Sequence, residues 1–298
     1  MTQFNRECVL RVGLPDIAQE IRCTSASGLR ITFEVDKSLI GYPATAIIKV
    51  YNLARDTRAY LREPGNRVEL LVGYNSEGED SVLTRLFLGD LVNVNDVREN
   101  PDTVTTVWAR DGFAAYTEAL SSVTFAAGAS LKQVFKSAYT DMKAACRQLV
   151  RGSDGTPDAK ITSPFSFAGQ TADMLNKLGE TYGYYWMIQD EELVFIPVGD
   201  VNANIPVVVI SRGTGMIGSP AITEIGADVS CLLNPKIIPT GAIKVESDFS
   251  RVSLGNLLFR PINKTLGEGY YRVNRVVHRG DTRGNDWNSA ITGRVLRA

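Results

Sequence analysis

The chain has 298 residues, of which 44% are hydrophobic and 22% charged, and its 32 basic residues nearly balance its 33 acidic residues. This length suits two or three domains, and the balanced charge argues against a general attraction to nucleic acid or to an anionic membrane. No run of ~18 apolar residues occurs, so the sequence predicts no membrane span. The N-terminus has no apolar signal core, and we therefore expect the protein to be made and folded in a cytoplasm.

Residues 29–112 predict a small antiparallel barrel with a helix across one opening. Apolar and polar side chains alternate from Leu29 to Asp36, which is the pattern of a half-buried strand. Further strands are predicted over residues 46–53, 67–74, 86–92 and 104–109, with a helix over 55–62 that Pro64 and Gly65 terminate. The side chains expected to fill the interior are Phe33, Val50, Leu70, Val72, Leu88 and Trp108.

Two amphipathic helices follow the first barrel. Ser130 can cap a helix that ends near Arg151 and Gly152, and residues 152–158 predict an exposed loop. A second helix starts near Thr171, stops at Gly183 and buries Leu175, Leu178 and Tyr182. Residues 184–197 form a hairpin pattern with residues 189–192 at its tip. One face of the first helix carries Leu131, Val134, Phe135, Ala138, Met142 and Ala145.

Strands and turns return from residue 201. Strands are predicted over residues 207–210, 242–245 and 270–278, and neither face of the last is cleanly apolar, so we interpret it as an edge or subunit-contact strand. The predicted class is α+β, mainly β, with two small antiparallel β-barrels and an intervening helix-containing domain. The predicted division is a first β-barrel domain over 1–118, a helical α/β domain over 119–200 and a second β-barrel domain over 201–298.

A glycine motif and the single histidine are the first candidates for chemistry. Gly213–Gly218 matches the dinucleotide fingerprint G-x-G-x-x-G, but Ser219 and Pro220 follow at once and no crossover helix is predicted. We interpret the motif as a glycine-rich hairpin or interface loop. The sequence has no G-x-S-x-G motif that would supply a nucleophile for His278. A structural contact with Asp281 is therefore expected in place of a catalytic triad.

The cysteines show no metal or redox spacing. Cys8, Cys23, Cys146 and Cys231 form no C-x-x-C pair and are interpreted as reduced core residues, with a Cys8–Cys23 bridge across an N-terminal hairpin as the alternative. One histidine and four scattered cysteines give no zinc-ligand spacing. The sequence therefore assigns no catalytic, cofactor-binding or metal-binding residue.

Two groups of carboxylates could serve a glycosidase, which needs only two acids. One group lies in a loop between strands and the other at a hairpin tip, and both look like solvated turns. Four arginines near the C-terminus are interpreted as a solvated strand face and turn in preference to a nucleic-acid patch. The acids are Glu77, Glu79, Asp80, Asp190, Glu191 and Glu192, and the arginines are Arg272, Arg275, Arg279 and Arg283.

The order of several short motifs resembles a known family. "IIKVYNL", "PGNRVELLVGY", "FLGDLVNV" and "WARDG" resemble the first barrel of the baseplate hub protein of contractile-tailed bacteriophages. "FSFAGQTADMLNKLGETYGYYWMIQDEELVFIP" and "YYRVNRVVHRGD…DWNSAITGRV" are similar to later parts of the same hub. The resemblance covers about residues 29–298 and implies barrels of the phage tail-hub type.

The resemblance implies a structural protein, not an enzyme, in the baseplate of a virion tail assembled in the host cytoplasm. It implies a homotrimeric ring that joins the tail tube to the central spike. The implied partners are the spike, tail tube or tube-initiator proteins and other baseplate proteins, with the tape measure protein as a further candidate; neither a membrane nor a specific nucleic acid is among them. Alternatives are a tail-associated cell-wall hydrolase using acidic residues and the hub of a related contractile secretion system. An oligonucleotide-binding barrel is a third alternative, which the balanced charge disfavours.

Overall fold

The computed structural model describes residues 5–14, 17–24, 26–39, 41–63, 65–74, 83–155, 158–223, 225–252 and 268–296. The first β-region, as we name it, comprises β1 (Arg6–Leu14), β2 (Ile17–Thr24), β3 (Ile31–Ser38), β4 (Thr45–Tyr51), α1 (Arg55–Leu61), β5 (Arg67–Tyr74), β6 (Thr84–Glu99) and β7 (Asp102–Arg110). The middle region comprises α2 (Phe113–Thr117), β8 (Leu120–Phe125), α3 (Leu131–Ala145), β9 (Val150–Asp154), β10 (Phe165–Gln170), α4 (Thr171–Tyr182), β11 (Tyr184–Gln189) and β12 (Glu192–Pro197). The second β-region comprises β13 (Val208–Ser211), β14 (Met216–Ile222), β15 (Gly226–Leu232), β16 (Ala242–Glu246), β17 (Arg251–Val252), β18 (Glu268–Asp281) and β19 (Trp287–Val295).

The mainly β class with an intervening helical part is confirmed. Fourteen strands form one sheet in the order β17-β14-β15-β19-β18-β3-β4-β7-β6-β5-β1-β2, with β16 paired to β18 and β13 paired to β16. Among the described residues the hydrogen-bonding path of this sheet is open, so the barrels are not closed. In the middle region, β8 pairs with β10, and β12 lies between β11 and β9.

β18 joins the two β-regions and is an internal strand. Its C-terminal half pairs with β3, its N-terminal end pairs with β16, and most of its length pairs with β19 on the other side. The prediction that residues 270–278 form an edge strand is therefore wrong. Its mixed polarity has a different cause, because successive parts of the strand face different surroundings: Tyr271, Val273 and Val276 enter one core, whereas His278 is buried beside Ser289.

Three clusters of buried apolar side chains correspond to the three regions. The first cluster fills the first β-region and also receives Leu233 and Trp287 from the second. The second packs α3 and α4 on β11 and β12, and the third lies among the strands of the second β-region. The predicted domain boundaries at residues 118 and 200 remain predictions. The large sheet runs from one β-region into the other without a break.

The predicted interior of the first barrel is confirmed for Phe33, Val50, Leu70 and Val72, which all lie in the first cluster. It is wrong for Leu88 and Trp108, which are only partly buried. A β-bulge in β6 opposite Leu70 and Leu71 shifts the alternation, so that Leu86 and Phe87 both face inward and Leu88 does not. On β7, Val107 and Ala109 face the core. Trp108 therefore points to the opposite face of the strand, where it pairs with the exposed Ile47.

The two predicted helices are present. Ser130 caps α3 in a capping box with Gln133, and Gly183 ends α4 with a left-handed φ of 71°. The predicted end of the first helix near Arg151 and Gly152 is wrong, because α3 stops at Ala145 and residues 150–154 form β9 beside β12. The parallel partner β12 stabilises this segment as a strand, which local sequence does not encode. Cys8 and Cys23 lie opposite each other on β1 and β2 as free thiols.

Candidate functional site

The four C-terminal arginines have separate roles. Arg275 binds Asp36 with two hydrogen bonds of 3.0 and 2.6 Å, and Arg279 binds Glu34 at 2.8 Å. Both pairs lie on the solvent-facing side of the β3–β18 contact and link the two β-regions. Arg283 donates a hydrogen bond to the carbonyl of Gly28. The interpretation of a solvated face holds for these three, but Arg272 is 2% exposed and packs over the Tyr185 ring.

The glycine motif lies between two strands. Arg212–Thr214 form a 3₁₀ turn after β13, Gly215 follows with a φ of 99°, and β14 begins at Met216. A dinucleotide site needs the N-terminus of a helix at this point, where backbone N–H groups would face a pyrophosphate. A strand occupies that place, which does not fit the fingerprint. The interpretation as a hairpin is wrong, because β13 pairs with β16 and β14 pairs with β15, and the interface loop stays a prediction.

His278 is a buried structural residue. It is fully buried, and its Nδ1 lies 2.8 Å from Oγ of Ser289, which accepts a hydrogen bond from the backbone N–H of Asn234. Burial, followed by the positive charge of Lys37, lowers the pKa of His278 from 6.5 to about 3. The predicted contact with Asp281 is wrong, because Arg30 binds that carboxylate. A neutral imidazole without solvent access is unsuited to general-base catalysis.

The structure describes only one of the two predicted groups of acidic residues. Glu77, Glu79 and Asp80 lie outside the described residues. The prediction that the hairpin tip is a solvated turn is wrong for Asp190 and Glu191, whose side chains are 26% and 15% exposed and contact the first β-region. Glu192 is exposed as expected.

A cluster of charges binds the hairpin tip to the first β-region, and we name Lys37, Arg67, Asp111, Asp190 and Glu191 the charge cluster. Lys37 Nζ lies 3.2 Å from both carboxylate oxygens of Asp190. The Glu191 carboxylate contacts the Arg67 guanidinium, and the Glu191 backbone N–H donates to Asp111 Oδ1 over 3.1 Å. These contacts join β3, β5 and the end of β7 to the turn between β11 and β12.

Asp111 is the most strongly perturbed acid of the charge cluster. Burial, followed by the neighbouring Asp190 carboxylate, raises the pKa of Asp111 well above its ordinary value. Two nearby carboxylates, one of them with a raised pKa, would suit a glycosidase only in an open cleft. Asp111 is 1% exposed, and both Asp190 oxygens are bound to Lys37. The arrangement therefore holds two parts of the chain together and leaves neither Asp111 nor Asp190 free to reach a sugar.

A glycine allows the close approach beside this cluster. Gly112 has a left-handed φ of 60°, and a Cβ at this position would lie 2.7 Å from Cδ1 of Ile188 on β11. The backbone N–H of Ile188 also donates to the hydroxyl of Tyr116 over 3.1 Å. The chain thus turns from β7 into α2 directly against the hairpin whose tip carries Asp190 and Glu191.

Two clefts border this interface. One of about 540 Å³ lies beside the charge cluster, where Arg11 and Arg85 both bind Glu69. The other, of about 610 Å³, lies between the segment after β3 and α4, where Trp186 donates a 2.8 Å hydrogen bond to Asn176. The described residues contain no group of three or more histidine, cysteine or acidic residues suited to a metal ion. None of the described helices is long and apolar enough to cross a bilayer.

Sequence reasoning missed Lys37 and Asp111. Lys37 continues the apolar phase of β3, so its burial could have been expected from the period of two. Asp111 lies between a strand and Gly112, a place where an acid is common in exposed turns. No local signal indicated that it is buried against a hairpin about 80 residues later.

A comparison with protein families decides the identity. The family model described as "Baseplate hub gp41" matches residues 9–256, which is most of the chain. The chain belongs to the baseplate hub gp41 family. It is therefore a structural hub protein of a phage tail baseplate, as the sequence resemblance predicted. No curated protein sequence matches the chain closely enough to show a relationship.

Solved structures share the fold at very low sequence identity. The 43 kDa tail protein of prophage MuSo2 from Shewanella oneidensis is 10% identical, with a TM-score of 0.57 over 98% of this chain and 97% of its own. A tail protein from Neisseria meningitidis MC58 is 7% identical, with a TM-score of 0.60 over 96% of each chain. The E. coli c3393 protein, described as a type VI secretion component similar to T4 tail proteins gp27 and gp5, is 10% identical with a TM-score of 0.55 over 97% of this chain and 77% of its own.

Proposed function

We propose that three copies of this baseplate hub form a ring that joins the tail tube to the central spike. The observation that carries the proposal is the pair of β-regions, each with its own apolar core, held in a fixed relation by β18. Three copies of a chain with two such regions give six β-rich units around one axis. A ring of this kind can meet a six-fold tube on one side and a three-fold spike on the other.

The interactions between the β-regions support a rigid ring unit. Antiparallel pairing of β3 with β18 is reinforced by the ion pairs Asp36–Arg275 and Glu34–Arg279 on the exposed face. Trp287 from β19 enters the first core, where its ring packs edge-on against Phe33 at a centroid distance of 5.5 Å. The two β-regions therefore act as one body, which suits a part that transmits force.

The oligomeric state is the direct test of this proposal. Light scattering of the purified chain, alone and with the spike protein, should give a particle of three times the 32.6 kDa chain mass or a complex containing three copies. A chain that remains a monomer at all concentrations and in the presence of the spike would contradict the proposal.

We further propose that the chain does not hydrolyse the cell wall. Two carboxylates of the charge cluster, Asp111 and Asp190, are bound by the Glu191 backbone N–H and by Lys37. Purified chain incubated with purified peptidoglycan should release no more soluble fragments than buffer. Release that is abolished by Asp190→Asn or Asp111→Asn would contradict this expectation.

The likeness to the secretion component does not favour the secretion-system alternative. At 10% identity it shows a shared fold, which phage tails and secretion machines have in common. The family match to a baseplate hub is the observation that favours the phage tail.

A further inference from the structure

The turn at the tip of the β11–β12 hairpin has a strained backbone. Its two central residues, Asp190 and Glu191, have φ values of 49° and 72° between the paired residues Gln189 and Glu192. Tight hairpin turns with two positive φ angles strongly prefer Asn-Gly or Asp-Gly, because a side chain at the second position is strained there. Glu191 is therefore an unfavourable choice for the turn alone, and such strain persists only where surrounding contacts fix it.

The contacts that fix this turn come from outside the hairpin. Asp190 is bound by Lys37, whose side chain is 4% exposed, and Glu191 contacts Arg67, whose side chain is 15% exposed. The Glu191 backbone N–H is bound by the buried Asp111. Every one of these partners belongs to the first β-region or to the residues directly after β7.

The charges in this contact depend on one another. Two cations, Lys37 and Arg67, contact the carboxylates of Asp190 and Glu191, and Arg67 Nε also lies 3.8 Å from Asp90 Oδ1. Removing one member of a buried ion pair leaves its partner as an uncompensated charge, which is strongly unfavourable. The two cations therefore favour the conformation of the turn seen in the structure.

The apolar part of the same contact is small. Leu39, at the end of β3, packs with Met187, Val194 and Ile196 from the outer face of the hairpin, and Tyr185 lies beside them. The opposite face of the hairpin belongs to the core of the middle region, to which it contributes Trp186, Ile188, Leu193 and Phe195. The hairpin is thus anchored in the middle region, and its charged tip and this apolar patch both contact the first β-region.

We propose that the Asp190–Glu191 turn is an electrostatic latch, which fixes the middle region on the first β-region and whose opening allows the middle region to change its orientation. The choice of residues follows from this role, since Asp and Glu supply the carboxylates that an Asn-Gly turn would lack. The latch is a property of the single chain and does not depend on the proposed ring.

The decisive variant replaces the latch by a better turn. Asp190→Asn with Glu191→Gly gives the preferred sequence for this turn and removes both carboxylates. If the turn served only the hairpin, the double variant would melt at the same or a higher temperature than the parent. The latch predicts instead that its melting temperature falls by at least about 4 °C, since lost contacts to Lys37 and Arg67 outweigh the relieved strain.

A matched control removes an equal number of charges from an exposed pair. Glu34→Gln with Arg279→Met breaks an ion pair whose side chains are 48% and 44% exposed, on the outer face of the β3–β18 contact. Its melting temperature should change by less than about 2 °C. If the double turn variant does not fold, Glu191→Gln, which keeps the side-chain volume, replaces it in the same comparison.

Orientation is measured by the distance between two spin labels. Gln19→Cys on β2 and Lys136→Cys on α3 place labels at exposed positions, and the four native cysteines are buried. The parent should give one narrow distance distribution, and the turn variant and Lys37→Met should give broad ones. Lys37→Arg, which restores the charge, should return the narrow distribution. Narrow and identical distributions in the parent, the turn variant and Lys37→Met would overturn the latch.

Discussion

His278 is a neutral imidazole enclosed by protein, and the chain has no other histidine. Its pKa is about 3 in the folded chain, whereas an unfolded chain would hold it near 6.5. Between these values only the unfolded chain binds the proton, so the free energy of unfolding decreases as the pH falls from about 6.5. The decrease in the free energy of unfolding that His278 causes can reach about 1.4 kcal/mol per pH unit, and it levels off below the pKa of the folded chain.

The variant His278→Asn tests this account, because an amide does not titrate. At about pH 7.5 the variant should be less stable than the parent by about 1–3 kcal/mol, since the smaller side chain leaves space beside Ser289. As the pH falls to about 4.5 the difference should narrow, because only the parent loses the histidine contribution. Urea unfolding of parent and variant at both pH values measures this difference in the free energy of unfolding. A difference that stays constant with pH would contradict a buried neutral His278.

The burial of Lys37 could be predicted from the sequence, but its ion-pair partner could not. The alternation that begins at Ile31 puts Lys37 on the buried face of β3, and this much follows from the period of two. Its partner Asp190 lies 153 residues later at the tip of a hairpin, where acids are ordinarily solvated. The sequence indicated that Asp190 and Glu191 lie at a hairpin tip. It did not indicate their burial, because this burial results from packing between distant segments.

Among the elements, β3, α1 and β5 were predicted from local patterns, whereas the side-chain phase of β6 was not. A bulge inserts one extra residue into β6 opposite Leu70 and Leu71, and this reverses the faces of the residues that follow. Leu88 therefore leaves the interior that Phe87 enters. The prediction places Trp108 inside as part of an apolar run, although its neighbours Val107 and Ala109 face the core.

A pair of matched substitutions tests the resulting register. Val72 on β5 is fully buried in the first core, and Val92 on β6 is 40% exposed. Val72→Asp should lower the free energy of unfolding by about 4 kcal/mol or more, because it places an unpaired charge in an apolar interior. Val92→Asp should change it by less than about 0.5 kcal/mol. Chemical denaturation compares the two, and equal stability of both variants would show that the register of β5 is wrong.

β18 illustrates why long-range pairing escapes a sequence prediction. The sequence predicts an edge or subunit-contact strand over residues 270–278, because polar and apolar side chains occur on both faces. In the fold one end faces β16 and the other faces β3, so the required polarity changes along the strand. Asp36 and Arg275, which pair across this contact, are 239 residues apart in the sequence.

For the whole molecule, the order of motifs was more informative than any single residue. The mainly β class, the two β-regions and the membership in a baseplate hub family were all predicted from that order. The continuous sheet adds a mechanical element, since β3 and β18 bind the two β-regions into one body. The middle region contacts this body through the charge cluster, a small apolar patch and the packing of Arg272 on Tyr185.

We propose that three such chains form a ring with six β-rich units. Electron microscopy of the chain assembled with its spike tests it most directly, because projections along the axis show the number and symmetry of the units. A ring of this kind should give averages with three-fold symmetry and six lobes of similar size around a central opening. Particles with a single β-rich pair, or rings whose symmetry is not a multiple of three, would contradict it.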